Sequence, residues 1–419
     1  MLLYIDPGTG SMLFTILLGI LGIAVYSLRA AFVKIRFILS GGRAERENPD
    51  RASIVIFSDT KRYWNIFEPI CGEFERRGEK LEYLTASADD PALSARYEHV
   101  ACKFIGEGNQ AYAFLNTLHA DIVLSSTPSL EVFYWKRSKH VKWYVHIPHA
   151  VSDLTMYRMF GIDYYDAILI SGEHHIRQVR TLEKLRNLPE KELVMTGLTY
   201  IDRLKDRFEK AGPLPEHPFT VLLAPSWGSS AIFSVYGGEI IKKLLETGYH
   251  VIVRPHPQSF TAEKELIDSI MKEYPENEQL EWNRDNDNFE VLRRSDILIS
   301  DFSGVIFDFA LVFDKPVIYT EISYDKSPYD ACWLDEEPWT FQILPEIGIQ
   351  LTKDRLENLK ELIRTCISDS RFEEGREKAR SQTWAYPGEG TQRTVDYLLN
   401  KRNDLTKNKA NEHDNTAEE

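Results

Sequence analysis

The stretch from Ser295 to Thr320, S-D-I-L-I-S-D-F-S-G-V-I-F-D-F-A-L-V-F-D-K-P-V-I-Y-T, constrains the fold more than any other. Asp296 to Ser300 is a short apolar run of the kind that forms a buried parallel strand. It stops at Asp301-Phe302-Ser303-Gly304, after which Val305, Phe309, Ala310 and Val312 recur at helical spacing. Lys315-Pro316 ends that helix, and Val317-Ile318-Tyr319 reads as the next strand, completing a β-α-β unit. Asp301 or Ser303 can cap the helix by accepting from an otherwise orphaned N–H. Free amides and the positive end of the helix dipole suit a phosphate there, and Gly304 lets a ligand approach the backbone. The same four residues are equally an ordinary helix start, so alone they name no ligand.

The alternation continues over most of the 419 residues. From Ala52, strand patterns fall at Ile54–Phe57, Leu81–Leu84, His99–Ile105, Ile122–Ser125, Lys142–His146, Ala167–Ser171 and Leu193–Thr196. Ile66, Phe67, Ile70, Cys71 and Phe74 form one helical face between the first two. Such a series predicts a parallel sheet covered by helices. Gly212-Pro213-Leu214-Pro215-Glu216-His217-Pro218 interrupts it, and a second series runs through Thr220–Ala224 and His250–Val253 to the opening stretch. The expected organisation is an α/β domain over residues 52–211, a linker over 212–218 and a second α/β domain over 219–400. Residues 401–419 are polar, with Leu405 their one large aliphatic residue, and are expected to be disordered.

Ser11 to Leu28 contains no charged residue and is close to the length needed to cross a bilayer. Arg29, Lys34, Arg36, Arg43, Arg46 and Arg51 follow it, while only Asp6 precedes it. That asymmetry predicts a single-pass anchor in the cell membrane, with the bulk of the chain cytoplasmic. Residues 1–40 are thus expected to be an anchor with a juxtamembrane basic segment that meets anionic lipid, and 41–51 a linker. The net charge of −14 argues against nonspecific nucleic-acid binding. Cys71, Cys102, Cys332 and Cys366 lack metal-ligand spacing and fit a reducing compartment.

Candidate chemistry falls on strand ends. Pro225-Ser226-Trp227-Gly228 and Arg254-Pro255-His256-Pro257 follow two strands of the second series, as Asp301–Gly304 follows a third. In the first series, His146-Ile147-Pro148-His149-Ala150 follows the strand that begins at Lys142. Any one histidine at a strand end is more often a surface residue than a catalyst. Three polar turns at strand ends of one domain, one of them Arg-x-His, make convergence on a ligand the better reading. Asp285-Asn286-Asp287 has the form of a metal-binding pair but reads as a solvated helix start, so neither metal nor cofactor is expected.

Taken together, the segments resemble the CDP-glycerol glycerophosphotransferase family, the teichoic-acid polymerase and primase group. The resemblance rests on Pro148-His149-Ala150, G-L-T-Y-I-D-R-L (197–204), L-L-A-P-S-W (222–227), R-P-H-P (254–257) and Ser295 to Phe309, and spans roughly Lys142 to Leu399. It implies a GT-B architecture of two Rossmann-like domains facing a cleft, a nucleotide-diphosphate donor in the second domain, and a histidine from each side. The family's Trp-His-Gly-Thr is here Pro148-His149-Ala150-Val151, on the acceptor side. The expected reaction moves glycerol phosphate from CDP-glycerol to a hydroxyl of a membrane-associated glycan or polyol. His149 is then the general base, His256 and Arg254 contact the diphosphate with the turn at Ser303-Gly304, Ser226 completes the substrate site, and Asp301 and Asp308 hold the loop or the glycerol hydroxyls. His146 and Asp153, in the same loop as His149, are its substitutes as base. A GT-B glycosyltransferase, a UDP-sugar epimerase, or a non-catalytic nucleotide-binding membrane protein are the alternatives on the same donor site.

Overall fold

The computed structural model describes residues 52–285, 287–321 and 325–415, with Ala52 onward forming one compact unit. The expected membrane span, its basic flank and the linker lie outside the described residues. Among the described residues, no helix is long and apolar enough to cross a membrane.

Two wholly parallel sheets organise the unit. The first contains β1 (Ile54–Ser58), β2 (Leu81–Thr85), β3 (Val100–Phe104), β4 (Ala120–Ser125), β5 (Val141–His146), β6 (Ala167–Ile170) and β7 (Glu192–Met195), in the order β3-β2-β1-β4-β5-β6-β7. The second contains β8 (Thr220–Ala224), β9 (His250–Val253), β10 (Leu280–Trp282), β11 (Ile297–Ser300), β12 (Val317–Thr320) and β13 (Gly348–Leu351), in the order β10-β9-β8-β11-β12-β13. Helices cover both faces, which is why the central strands are buried at every residue instead of alternating. Neither β10 nor β13 is evident in the sequence: one has three residues, and Gly-Ile-Gln-Leu of the other lacks β-branched density.

Each sheet reverses its winding beside its first strand, between β1 and β4 and between β8 and β11, so crevices open at the carboxyl ends of those strands. The same device ties both. Ser125 Oγ donates to the Phe57 carbonyl at 2.8 Å, and Ser300 Oγ donates to the Ala224 carbonyl at 2.6 Å.

The last helix, Gly390–Asn415, corrects the expectation of a disordered tail from Lys401. It packs on the helix Trp64–Arg77 of the first domain. Lys401 pairs with Glu192 and lies 4.2 Å from the Trp143 ring centre, Arg402 pairs with Glu79 at 2.7 Å, and Leu405 rests on the core. Composition missed these contacts because they are made to residues more than 200 positions away. The chain reaches this helix by a crossing at 384–390, held by Asp202, whose carboxylate accepts from Trp384 Nε1 (2.7 Å), Gly388 N–H and Gly390 N–H (both 2.8 Å). Gly197 has φ +82, and a Cβ there would fall 2.4 Å from the Ala385 carbonyl oxygen, so the crossing requires glycine. Much of the 197–204 motif therefore serves the crossing.

Ending the chain after Asn400 should cost roughly 2 kcal/mol, summing two half-exposed ion pairs and one partly buried leucine. Thermal melts should show a fall of a few degrees; an unchanged Tm would mean the helix end contributes nothing.

Candidate active site

The strand-end loops of both sheets meet at a cavity of about 360 Å³. His149, Ala150 and Ser152 reach it from the loop after β5, Arg254 and His256 from the loop after β9, and Ser303, Gly304 and Asp308 from the turn after β11. Three depressions are larger: those of about 830 and 1010 Å³ are lined by no histidine, and one of about 740 Å³ by His174 alone among histidines.

His256 has a defined tautomer. The Gln258 backbone N–H donates to its Nδ1 at 3.1 Å, so the neutral ring carries its proton on Nε2. Burial, aided by the charges of Arg62 and Arg254, lowers its pKa to about 4. It is thus a neutral hydrogen-bond donor at pH 7. Arg254 donates from one terminal nitrogen to the Asp285 carbonyl at 2.8 Å, and its buried Nε has no partner. Burial lowers its pKa, but a guanidinium stays charged.

His149 lies between two tyrosines, with ring centres 5.0 Å from Tyr63 and 5.6 Å from Tyr157. Burial lowers its pKa to about 4. The Tyr157 hydroxyl is 3.3 Å from His149 Nδ1 and 3.1 Å from His146 Nε2, bridging the two rings. His146 is wholly buried and lowered to about 3, chiefly by desolvation. With the proton on His149 Nδ1, Tyr157 accepts it and donates its own to His146. His149 Nε2 is then a free lone pair.

The turn at 301–304 differs from expectation in its capping. Asp301 is fully buried and accepts from the backbone N–H groups of Ser226 (3.0 Å), Ile232 (3.1 Å) and Phe302 (2.8 Å). Both its oxygens are engaged and it does not line the cavity, so it holds the turn after β8 against that after β11. Neither Asp301 nor Ser303 caps the helix, because no side chain accepts from its first amides. Ser226 is buried and outside the lining. Of the two expected roles of Asp301 the loop-holding one is therefore the one its bonds serve, and Ser226 supports it through its backbone N–H. Gly304 has an ordinary helical φ of −56. A Cβ there would meet only Ala150 Cβ, at 3.9 Å, so glycine leaves room in the cavity and relieves no strain.

Asp308 faces Tyr200 of the first domain and Asn288, which favour its charged form, but burial dominates and raises it to about 7. Asp153 is no substitute base. It is buried, and its oxygens accept from Gln178 and from the Trp339 and Thr340 N–H groups at 2.7 and 2.8 Å. His146 has no place on the cavity lining. Asp287 pairs with Arg207 at 2.6 Å and accepts from the Phe289 N–H at 3.1 Å, as a helix start would. Tyr63, Tyr157 and Asn288 were not legible as site residues, since tyrosine and asparagine at loop positions carry no spacing signal.

A family model described as CDP-glycerol:poly(glycerophosphate) glycerophosphotransferase matches residues 153–400. That match includes Arg254, His256, Ser303, Gly304 and Asp308 and begins four residues after His149. Solved structures similar to the chain include the UDP-GlcNAc 2-epimerase from Methanocaldococcus jannaschii in complex with UDP-GlcNAc and UDP (TM-score 0.53, 13% identity, 83% of this chain and 99% of that one). The UDP-GlcNAc 2-epimerase from Neisseria meningitidis bound to UDP-GlcNAc is another (0.51, 14%, 83% and 99%), as is the S. aureus MnaA–UDP co-structure (0.53, 13%, 84% and 98%). At such identities the likeness establishes the fold, a GT-B-like pair of Rossmann-like domains. No curated protein matches the chain.

His146, His149, His174 and His256 have pKa values lowered to about 3, 4, 4 and 4, from an ordinary 6.5. Between pH 6.5 and about 4 the unfolded chain therefore binds more protons, and stability falls as pH drops. The slope is about 1.4 kcal/mol per imidazole per pH unit. Asp308, raised from 3.8 to about 7, works in the opposite sense, as do the raised carboxyls of Asp59, Asp163, Asp202, Asp301 and Asp330, while the lowered His175 and His250 add to the four imidazoles. Thermal melts should show Tm falling from pH 6.5 towards 4; a flat profile would mean that these rings are hydrated.

Proposed function

Because the chain belongs to the CDP-glycerol:poly(glycerophosphate) glycerophosphotransferase family, we propose that it is a membrane-anchored enzyme moving glycerol phosphate from CDP-glycerol to a hydroxyl of a lipid-linked or cell-envelope glycan or polyol. The observation that carries the reading is the cavity itself: a guanidinium and a fixed imidazole donor on one side, and on the other an imidazole that Tyr157 holds at Nδ1. Membrane attachment is read from residues 11–28.

The acceptor oxygen attacks the phosphorus that bears glycerol, its bond to the bridging oxygen breaks, and CMP leaves. Such a displacement needs positioning and neutralisation of charge more than covalent chemistry. Arg254 and His256 Nε2–H hold the diphosphate, with the Ser303, Gly304 and Val305 amides ahead of the first turn bond, Ile306 N–H to the Ser303 carbonyl. CMP departs as a stable anion, so no acid is required. His149 Nε2 takes the acceptor proton. Its lowered pKa keeps the ring neutral in free enzyme, and the negative charge of a bound diphosphate raises its basicity when the acceptor arrives. Asp308 is suited to the glycerol hydroxyls.

A second reading, a UDP-sugar donor, is favoured by the UDP-bound proteins of like fold. Release of CMP from CDP-glycerol, against release of UDP from UDP-sugars, separates the two. On the first reading, His149→Ala lowers turnover roughly 10²–10⁴-fold with donor affinity nearly unchanged. His256→Ala weakens donor binding as well. The kcat/KM profile of the parent enzyme carries no His149 limb near pH 6.5, because that ring titrates near 4. Near-normal turnover in the His149 variant would remove the base.

Gly304→Val tests the donor placement. The fold has room for the new Cβ, so the variant should melt close to the parent while calorimetry shows donor binding reduced at least tenfold. Unchanged affinity would move the diphosphate elsewhere.

A further inference from the structure

Five large hydrophobic side chains exposed on the first domain, Phe114, Phe133, Tyr134, Phe160 and Tyr164, belong to segments bonded to one another. The Asn116 side chain donates to the Tyr134 carbonyl at 3.3 Å, joining the helix Asn109–Leu115 to the loop 126–140. Arg137 donates to the Tyr164 carbonyl at 2.6 Å and Ser129 N–H to the Gly161 carbonyl at 2.7 Å, joining that loop to the segment 157–166.

The loop is built rigidly around this exposure. Trp135 is 3% exposed and packs edge-on against Phe57, with ring centres 5.0 Å apart. Glu131, at φ 67, closes the turn by donating its N–H to the Trp135 carbonyl at 2.8 Å. Phe133 and Tyr134 stand at the tip, 57% and 70% exposed. Lys136, Arg137 and Lys139 follow; Glu131, the loop's one acid, is bonded to Lys136 (3.8 Å) and to the Arg137 N–H, and the Arg137 guanidinium pairs with Asp166 at 2.8 Å, so the lysines carry the loop's outward charge. The loop ends at the amino edge of the first sheet. There the His140 carbonyl accepts from Ala120 N–H, and the Ser53 carbonyl accepts from Asp121 N–H. The described chain begins at that edge.

We infer that this aromatic and basic face docks on the interface of an anionic lipid bilayer, which rests on the reading that the enzyme works at a membrane. Phenylalanine and tyrosine partition to the headgroup region, and lysines there meet anionic lipid. A chain of net charge −14 is repelled by an anionic surface except through a locally basic face, so charge selects this orientation. A rigid tip also loses little conformational entropy on docking.

The test uses the full chain with Cys332→Ser and Phe133→Cys, labelled with an environment-sensitive nitrobenzoxadiazole and reconstituted into vesicles of equal parts phosphatidylcholine and phosphatidylglycerol. A Glu273→Cys label on the second domain is the control. The expected result is a blue shift and severalfold brighter emission at 133 and none at 273. The change should shrink in pure phosphatidylcholine and in a Lys136→Glu, Lys139→Glu variant. Co-flotation with vesicles but unchanged emission at 133 overturns the face and leaves the anchor standing. Failure to co-float, with unchanged emission, overturns both. A blue shift that grows with protein concentration without lipid assigns the face to a second copy of the chain and overturns the bilayer as its occupant.

Discussion

Three carboxylates, the buried Asp153 and Asp330 and the half-buried Asp202, tie together the segments that frame the cleft. Asp153 of the first domain receives the Trp339 and Thr340 amides at the start of the helix Trp339–Ile347. Asp330, from the segment after β12, receives the Phe160 and Gly161 amides at 2.7 and 3.2 Å and pairs with Arg186. Asp202 receives the crossing at 384–390. A carboxylate buried among backbone N–H groups tolerates little displacement, because losing one partner leaves a desolvated charge unmatched. Each of these bonds therefore restricts how far one sheet can slide past the other.

The restriction reaches the chemistry through Tyr157. The Asp330 backbone N–H donates to the Tyr157 carbonyl at 2.9 Å, and Met159 N–H donates to the Pro328 carbonyl at 3.2 Å. The hydroxyl between His146 and His149 is thus carried on a segment of the first domain that the second domain holds in place. Packing the rings of Tyr63 and Tyr157 against His149 excludes water, which keeps the imidazole uncharged and strengthens any charge that develops beside it. Asp308 meets the same desolvation with the opposite sign, so a carboxyl and an imidazole in one cavity exchange their usual order of acidity.

The family match begins at residue 153, so it includes the donor-side residues and stops short of His149. The two halves of the proposed mechanism accordingly stand on different ground. Arg254, His256 and the turn at 303–304 lie within the matched residues and line the cavity. His149 stands on its burial, its tyrosine partner and its position opposite them.

The β-α-β rhythm and the strand ends bearing His149, Arg254, His256 and Gly304 were legible in the sequence. Periodicity and turn chemistry are local properties, and a parallel sheet brings every strand's carboxyl end to one edge. What the tertiary structure decided was which polar groups at those ends remain free. Asp301, Asp153 and Ser226 stand in the same kinds of loop as the cavity residues, yet long-range backbone amides engage both carboxylates, and Ser226 gives one of those amides. The helix beyond Lys401 was hidden for the same reason, since Glu192, Glu79 and Trp143 lie far away in the chain. Tyr157 became a site residue only through a hydroxyl placed within 3.3 Å of two rings, a coincidence of packing that no local pattern encodes.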